Sequence, residues 1–286
     1  VSQRVAPVDM LPRLARRAVE LINERATAGG PFFLYFATNS PHTPLVPSDE
    51  WKGTSGLGDY ADFVMQTDCA IGQILSAIDR AGLAANTLVI ATSDNGCSPA
   101  AGIEKLENQG HFPSAQFRGY KADIWEGGHR IPFFVRWPGR VKPASRSDSL
   151  VCLTDFMATV AEILGTTLPD DAGEDSISFL PELLAKGKTT RASVVHHSIS
   201  GHFAIREASW KLELCAGSGG WGKPKEADAH QRGLPAAQLY DLTADVGETK
   251  NLQAEKPDIV KRLVAALEKI VADGRTGLHF RPADSR

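Results

Sequence analysis

The sequence lacks the features that mark several large classes of protein. Its four cysteines, Cys69, Cys97, Cys152 and Cys215, lie far apart, and no two of them form a Cys-x-x-Cys pair. This spacing argues against both a disulfide scaffold and a zinc site. The longest apolar runs, FFLYFA and IPFFV, are far shorter than the ~20 residues of a membrane-crossing helix. The sequence therefore predicts no membrane span.

An excess of charge of one sign is also lacking. The chain has 31 lysines and arginines against 34 acidic residues, a formal net charge of -3 over 286 residues, and the basic residues are scattered. Because nucleic acids are bound through massed positive charge, we expect no nucleic-acid partner. The chain opens on VSQRVAPVDM, which has neither an initiator methionine nor a charged-then-apolar leader. No signal peptide is predicted from these residues.

Hydrophobic periodicity predicts an α/β fold for the first part of the chain. Apolar residues recur at helical spacing over residues 9–24, 60–81 and 155–164, and glycines follow each segment. The continuous apolar runs FFLYFATN, NTLVIATSD and IPFFVRWPG predict buried strands between these helices. Helices that alternate with such strands favour a mainly parallel sheet sandwiched by helices.

The pattern changes after about residue 184. The short runs ASVVHHSI, HFAIREASWKLELCA and AQLYDL predict a small antiparallel sheet, and residues 258–272 predict a terminal helix that packs on it. We therefore divide the chain into residues 1–184, part of an α/β domain, and residues 185–286, a C-terminal subdomain. The glycine-rich stretch AGSGGWGKPKEADAHQRGLP is predicted to be a surface loop.

Two oxygen-bearing side chains follow the second predicted strand. Asp94 and Asn95, in Ser-Asp-Asn-Gly, lie where open parallel sheets bind ligands, beyond the carboxyl ends of strands. Carboxylate and amide oxygens suit Ca²⁺ or Mg²⁺. The same four residues also form a good turn without any metal. A hard cation takes six or more oxygens, so further ligands would have to come from elsewhere.

A histidine and a lysine in two other loops are candidates for binding an anion. His42 lies between two prolines in SPHTP, which stiffens the loop around a side chain whose pKa is tunable across neutral pH. Lys121, in FRGYKADIWEGGHRIP, lies between Gly119 and the pair Gly127-Gly128. Because glycines leave space beside the main chain, an anion could approach the lysine closely. A surface-loop histidine and a solvated lysine are the alternative interpretations.

In this order, these segments resemble the sulfatase family, whose members share the alkaline-phosphatase-like fold. PFFLYFATNSPHTPLVPSDEW resembles the family's histidine strand and loop, and DYADFVMQTDCAIGQIL the helix that follows. NTLVIATSDNG is similar to the metal-ligand strand, and FRGYKADIWEGGHRIPFFVRWPG to the lysine segment. FAIREASWKLEL and QLYDLTADVGETKNL resemble the small C-terminal sheet. The resemblance runs from about residue 31 to residue 267.

The resemblance implies an enzyme, a sulfuric ester hydrolase that cleaves sulfate monoesters of phenols or carbohydrates. His42 would contact the ester oxygen and help to protonate the leaving group, and Lys121 would hold a sulfate oxygen. Asp94 and Asn95 would complete a Ca²⁺ site, with Mg²⁺ as an alternative. Fixed positive charge around the non-bridging oxygens is the main catalytic device in such transfers.

The family's nucleophile, a formylglycine made from the cysteine or serine of a Cys-x-Pro-x-Arg motif, is not found in this sequence. Cys97-Ser98-Pro99-Ala100-Ala101 begins like the motif but lacks the arginine and follows the metal ligands. The acidic pair that the family carries near its N-terminus is also missing. We therefore expect this chain to be inactive by itself and to be the C-terminal part of a sulfatase, with the N-terminal half of the enzyme as its partner.

Three further expectations follow from the resemblance. The substrate is a sulfated small molecule or glycan, and the compartment is the periplasm, the lysosome or the cell exterior. His129 and His202 lie in segments that border the pocket mouth in the family, so each is either a contact to the substrate beyond its sulfate or a strand or loop histidine bonded to backbone, and neither is assigned a catalytic role. A phosphoesterase or phosphonate hydrolase of the same superfamily is the alternative enzyme, and a non-catalytic anion- or glycan-binding remnant is the alternative outside catalysis.

Overall fold

The computed structural model describes residues 5–276. These residues form two compact units, which interleave along the chain. The first unit comprises the chain up to Ala91 together with Ser98–Pro113 and Phe134–Gly139, and the second comprises Thr92–Cys97, Ser114–Phe133 and the chain from Arg140. No helix in the described range is both long and apolar enough to cross a bilayer.

The first unit is built around two helices of 22 residues each, α1 (Pro7–Ala28) and α2 (Asp59–Arg80). Leu11 and Ala15 of α1 pack with Phe63 and Ala70 of α2, because apolar residues three and four apart lie on one helix face. The helix α1 ends at Gly29, whose φ of 72° is a conformation that glycine adopts without strain. Both helices match the predicted segments to within a few residues.

The first unit also holds a short sheet. Strand β1 (Val89–Thr92) pairs with β2 (Phe133–Arg136), and the helix α3 (Ile103–Asn108) follows β1. Both strands lie inside predicted runs. The predicted strand FFLYFATN is wrong: residues 31–39 belong to neither of the two sheets in the described chain. Phe33 and Tyr35, two residues of this run, are 72% and 81% exposed. An apolar run alone does not make a strand, since a strand also requires a hydrogen-bonded neighbour.

The second unit contains the predicted antiparallel sheet. Its order is β3-β4-β5-β6, formed by Ser193–His197, Phe203–Glu207, Trp210–Glu213 and Gln238–Asp241. The register pairs Ile205 with Leu212, and Leu212 with Leu239. Three more helices and a helical turn complete the unit: α4 (Glu126–His129), α5 (Asp155–Leu164), α6 (Leu180–Leu183) and α7 (Glu226–Gln231).

The terminal helix α8 (Pro257–Asp273) covers one face of this sheet, as predicted. Leu263 and Leu267 pack against Ile205, Leu212 and Leu239, which are fully buried. Leu212 belongs to one face of β5 because successive strand residues point to opposite faces. The other face, with Lys211, Glu213 and Tyr240, is buried too. The sheet is therefore covered on both sides. Its second face contacts residues 124–126 through Lys211.

The glycine-rich segment 216–235 is only partly the surface loop that its composition predicts. Ala216 and Ser218 are buried, and the segment contains α7. Its glycines permit this burial, since a side chain on Gly220 or Gly222 would overlap Ala122 or Asp123. The sequence prediction was wrong here because glycine allows close backbone packing as readily as it allows an exposed turn.

Candidate functional site

Two of the three predicted site segments are joined by main-chain hydrogen bonds within the second unit. The amide of Lys121 donates to the carbonyl of Cys97 at 2.8 Å, and the amide of Gly96 donates to the carbonyl of Gly128 at 3.0 Å. A side chain on Gly96 would overlap the Gly127 carbonyl oxygen. The Ser-Asp-Asn-Gly loop and the lysine segment therefore form one close-packed structure, which only a glycine at position 96 permits.

The polar ends of Asp94 and Asn95 are available to a ligand. Asn95 donates from Nδ2 to the carbonyl of Gly96 at 2.9 Å, which leaves its Oδ1 without a described partner. The exposed Asp94 carboxylate accepts no hydrogen bond and makes no ion pair within residues 5–276. Two such oxygens fit part of the ligand set of Ca²⁺ or Mg²⁺. No group of three or more histidine, cysteine or acidic residues in the described chain is arranged to hold a metal by itself.

Lys121 projects from an unusual turn. Its half-buried ammonium group makes no ion pair or hydrogen bond with any residue between 5 and 276. Ala122, the next residue, has a φ of 84°, a region that non-glycine residues rarely occupy and that is common at functional sites. A cation without a protein partner, on a strained turn, suits the binding of an anion.

His42 lies in the first unit, and its loop is rigid by itself. Its amide donates to the Asn39 carbonyl at 3.1 Å, and its Nδ1 lies 2.8 Å from the Thr43 carbonyl. Because a carbonyl only accepts, this contact assigns a proton to Nδ1. Nε2 has no partner among the described residues and is therefore the atom left for chemistry. The position of His42 relative to Asp94, Asn95 and Lys121 stays a prediction.

His129 faces inward, onto another histidine. Its ring centroid lies 4.1 Å from that of His196, and its Nε2 is buried without a hydrogen-bond partner. Burial and then the charge of Lys211 lower the pKa of His129 to about 4, so its ring is neutral at pH 7. His196 is buried beside it, has a lowered pKa for the same reasons, and lies 3.1 Å from the Ile124 carbonyl through its Nε2. A buried Nε2 does not suit substrate contact by His129.

His202 lies in the turn between β3 and β4, with its main chain bonded to Ser198. Its carbonyl accepts from the Ser198 amide at 2.9 Å, and its amide donates to the Ser198 hydroxyl at 3.3 Å. The ring is partly exposed. Contact of His202 with a substrate therefore stays a prediction, whereas the same turn is tied to the lysine segment through Ile199, whose amide donates to Ala122.

The sequence analysis missed Asp123, which organises this site. Its buried carboxylate accepts from the Tyr120 amide at 3.1 Å and from the Gly222 amide at 2.7 Å. Burial raises the pKa of Asp123, and the backbone N–H groups of Gly222, Tyr120 and Trp221 oppose that rise. One carboxylate thus fixes the turn that carries Lys121 and the loop that carries Trp221. The only sequence signal was an aspartate two residues after the candidate lysine.

A buried cluster of charges lies behind the lysine segment. Lys211 Nζ, fully buried, is 3.2 Å from Glu126, 3.1 Å from Glu213 and 2.8 Å from Glu248. Lys211 also donates to the Ile124 carbonyl at 3.0 Å, and Glu248 accepts the Glu126 amide at 2.7 Å. The cluster therefore holds residues 124–126, three residues after Lys121, against the C-terminal sheet.

Comparison with known proteins identifies relatives. The sequence profile of the family described as Sulfatase matches residues 12–166. The N-acetylgalactosamine-6-O-sulfatase of Bacteroides thetaiotaomicron is 37% identical over 84% of this chain and 47% of its own length. Human arylsulfatase A is 30% identical over 91% of this chain and 52% of its own length. The chain thus spans about half the length of these relatives.

A solved structure agrees with these sequence matches. It was described in the context of the metabolism of multiple glycosaminoglycans by Bacteroides thetaiotaomicron, and it is 34% identical to this chain. The two superpose with a TM-score of 0.82 over 93% of this chain and 55% of that one. The predicted fold class, an alkaline-phosphatase-like α/β fold with a small C-terminal sheet, is confirmed. From its sequence profile, its relatives and its fold, this chain belongs to the sulfatase family.

Proposed function

We propose that this chain supplies one wall of the active site of a sulfatase that hydrolyses sulfate monoesters. The observation that carries the proposal is the close-packed pair of loops that presents Asp94, Asn95 and the unpaired ammonium of Lys121 from one unit. A carboxylate, an amide oxygen and a cation, carried by two loops that are joined through their main chains, suit a metal-bound anion. Because the curated relative of 37% identity is an N-acetylgalactosamine-6-O-sulfatase, a 6-sulfated N-acetylhexosamine is the proposed substrate class.

Two residues of this chain act on the ester itself. Lys121 holds a non-bridging sulfate oxygen and stabilises the negative charge that shifts toward the leaving group. With Nδ1 bonded to the Thr43 carbonyl, His42 acts as the imidazolium, protonated also at Nε2, and gives the Nε2 proton to the ester oxygen as the S–O bond breaks. The alcohol leaves with that proton. Over the whole turnover one water molecule accounts for the oxygen that the sulfuryl group gains and for the proton that His42 regains, so the net products are the alcohol and hydrogen sulfate.

Asp94 and Asn95 would hold Ca²⁺, with Mg²⁺ as the alternative. A bound Ca²⁺ would supply fixed positive charge beside the sulfate oxygens, and a formylglycine would supply the attacking oxygen. The role of the chain is to orient its two ligands, which it does through the bonds from Asn95 Nδ2 to Gly96 and from the Gly96 amide to Gly128. The close approach at Gly96 makes that orientation sensitive to a single methyl group.

Replacing Gly96 with alanine should remove metal binding. The new methyl group would overlap the Gly127 carbonyl, so the loop has to move, and overpacking of this kind costs about 1–3 kcal/mol. We expect the thermal stabilisation that Ca²⁺ gives the enzyme to disappear in Gly96→Ala, as measured by calorimetry with and without Ca²⁺.

Gly72→Ala is the matched control for this substitution. Gly72 lies within α2, and a methyl group there meets no atom within 4 Å. Alanine is favoured over glycine in a helix interior, so this variant should keep its full response to Ca²⁺. An undiminished Ca²⁺ response in Gly96→Ala would remove Asp94 and Asn95 from the metal site.

We propose that the formylglycine comes from the N-terminal half of the enzyme and that this half covers exposed apolar groups of the first unit. Tyr35 and Phe134 are 81% and 68% exposed, and large exposed apolar side chains of this kind mark surfaces that another segment covers. The curated relatives are about twice as long as this chain. A location in the periplasm, the lysosome or outside the cell is the corresponding expectation.

The proposed function is tested on the enzyme that combines this chain with its formylglycine-bearing half. We expect it to release sulfate from 4-nitrophenyl sulfate and from 6-sulfated N-acetylgalactosamine, and to lose that activity on chelation with EDTA. The matched probe is 4-nitrophenyl phosphate. Faster hydrolysis of the phosphate would favour the phosphoesterase alternative, and no hydrolysis of either ester by enzyme verified to contain formylglycine would favour the non-catalytic one.

A further inference from the structure

The loop that follows β5 is fastened to the residues directly after Lys121. The amide of Ile124 donates to the Ser218 carbonyl at 2.8 Å, and the amide of Gly222 donates to Asp123 Oδ1 at 2.7 Å. A side chain on Gly220 would overlap the Ala122 carbonyl. Trp221 lies between these two contact points. Its main chain is therefore held next to the lysine turn by a hydrogen bond on each side and by the close approach of Gly220.

The turn between β3 and β4 is fastened to the same segment from another side. The amide of Ile199 donates to the Ala122 carbonyl at 3.0 Å, and Ser198, fully buried, closes the turn by bonding the His202 main chain. The Ala122 carbonyl thus accepts a hydrogen bond from the turn between β3 and β4, and Gly220 of the loop after β5 packs against the same residue. Both loops border Lys121 because Lys121 is the neighbour of Ala122 in the chain.

These two loops expose large apolar side chains although their main chains are rigid. Trp221 is 46% exposed, Ile199 62% and Phe203 46%. The Phe203 ring lies 6.0 Å from the His197 ring in an edge-to-face arrangement. Exposed apolar groups that cluster beside polar groups mark binding surfaces, and ligand pockets combine aromatic walls with a few polar anchors. Here the polar anchor would be the ammonium of Lys121.

The chemistry of these side chains selects one kind of occupant. A sugar ring presents an apolar face of C–H groups and a rim of hydroxyls, and an indole offers a flat apolar face with a polar N–H at its edge. We infer that Trp221 stacks on the pyranose ring that carries the sulfate, and that Ile199 and Phe203 border the same subsite. This inference rests on the proposed function, and it makes Trp221 a specificity-determining residue for glycan sulfates.

The test compares Trp221→Ala with Trp221→Phe in the complete enzyme. Loss of a stacking contact is worth about a tenfold change in affinity, so we expect KM for 6-sulfated N-acetylgalactosamine to rise about tenfold in Trp221→Ala and much less in Trp221→Phe. The inhibition constant of inorganic sulfate, which has no ring, should not change in either variant. Val271→Ala, which trims a side chain of α8 that is 68% exposed, is the control and should match the wild type.

A binding measurement separates this inference from the proposed function. Titration with desulfated N-acetylgalactosamine should change the tryptophan fluorescence of the wild type and not that of Trp221→Phe, whether or not the enzyme turns over any ester. An unchanged KM in Trp221→Ala would overturn the inference, and so would an equal rise in the inhibition constant of sulfate, since the loop would then act only by supporting Lys121. Absence of the fluorescence response would overturn it as well.

Discussion

Replacing Lys121 with alanine should lower kcat/KM for a sulfate ester by about 10²–10³-fold, the usual cost of removing one group that stabilises transition-state charge. The ammonium has no partner in the described chain, so its loss leaves no protein group unpaired, and the fold should keep its stability. We expect the inhibition constant of inorganic sulfate to rise in parallel. Steady-state kinetics on 4-nitrophenyl sulfate and calorimetric melting of the same samples check both points.

Two companion variants make the result specific. Lys121→Arg keeps the charge but places it on a wider planar group, so it should recover only part of the activity. Lys261→Ala removes an exposed positive charge from α8, and it should leave kcat/KM unchanged because long-range effects of a surface charge are screened. An unaltered rate in Lys121→Ala would remove Lys121 from the sulfate site and with it the main support for the proposed mechanism.

The helices and the C-terminal sheet were predictable because their patterns are local. Apolar residues at helical spacing predicted α1, α2, α5 and α8 to within a few residues, and terminal glycines predicted where three of them end. The run FFLYFATN shows the limit of this reasoning. Its continuous apolar run is that of a buried strand, but a strand also needs a partner distant in sequence, and no pattern within residues 32–39 reveals whether one is present.

The candidate site was predictable where polar residues follow predicted strands and where the order of segments resembles that of the sulfatase family. Asp94, Asn95 and Lys121 were selected in this way, and the hydrogen bond from Lys121 to Cys97 supports their grouping. Asp123 was missed, since a carboxylate that accepts backbone amides from residues about a hundred positions away has no local signature. The same holds for the buried face of β5, where alternation with Leu212 predicts that Lys211 faces water.

Three glutamates surround the buried Lys211, and the pKa values of Glu126 and Glu213 shift in opposite directions. Burial alone would raise the pKa of Glu126, but the positive charges of Lys211 and Arg206 outweigh burial and lower the pKa below its usual value. Glu126 is therefore ionised at neutral pH. Glu213 behaves differently: burial holds its pKa well above the usual range, and its oxygens have no well-aligned hydrogen-bond donor. Glu126 is therefore the carboxylate that most directly faces the cations of Lys211 and Arg206, at 3.2 Å and 3.1 Å.

Replacing Lys211 with methionine should therefore destabilise the protein by about 3–5 kcal/mol, because removing one partner leaves buried carboxylates uncompensated. Methionine keeps most of the volume, so the effect reports charge and not a cavity. We expect a large drop in the urea midpoint of the second unit's unfolding. Lys261→Met, at an exposed position of α8, is the matched substitution and should change the midpoint little. A Lys211→Met protein as stable as the wild type would mean that the three glutamates are all protonated.

The protonation of Glu213 gives the cluster a pH dependence of definite sign. A carboxyl whose pKa is raised by folding contributes stability below its unfolded pKa of about 4.3 and loses it as the pH rises toward the folded value. Glu213→Gln mimics the neutral acid at every pH. The variant should therefore gain free energy of unfolding relative to the wild type as the pH is raised from 5 to 9 in urea titrations. A difference that stays constant over this range would mean that Glu213 is already ionised at pH 5 and is held by Lys211 as a third carboxylate.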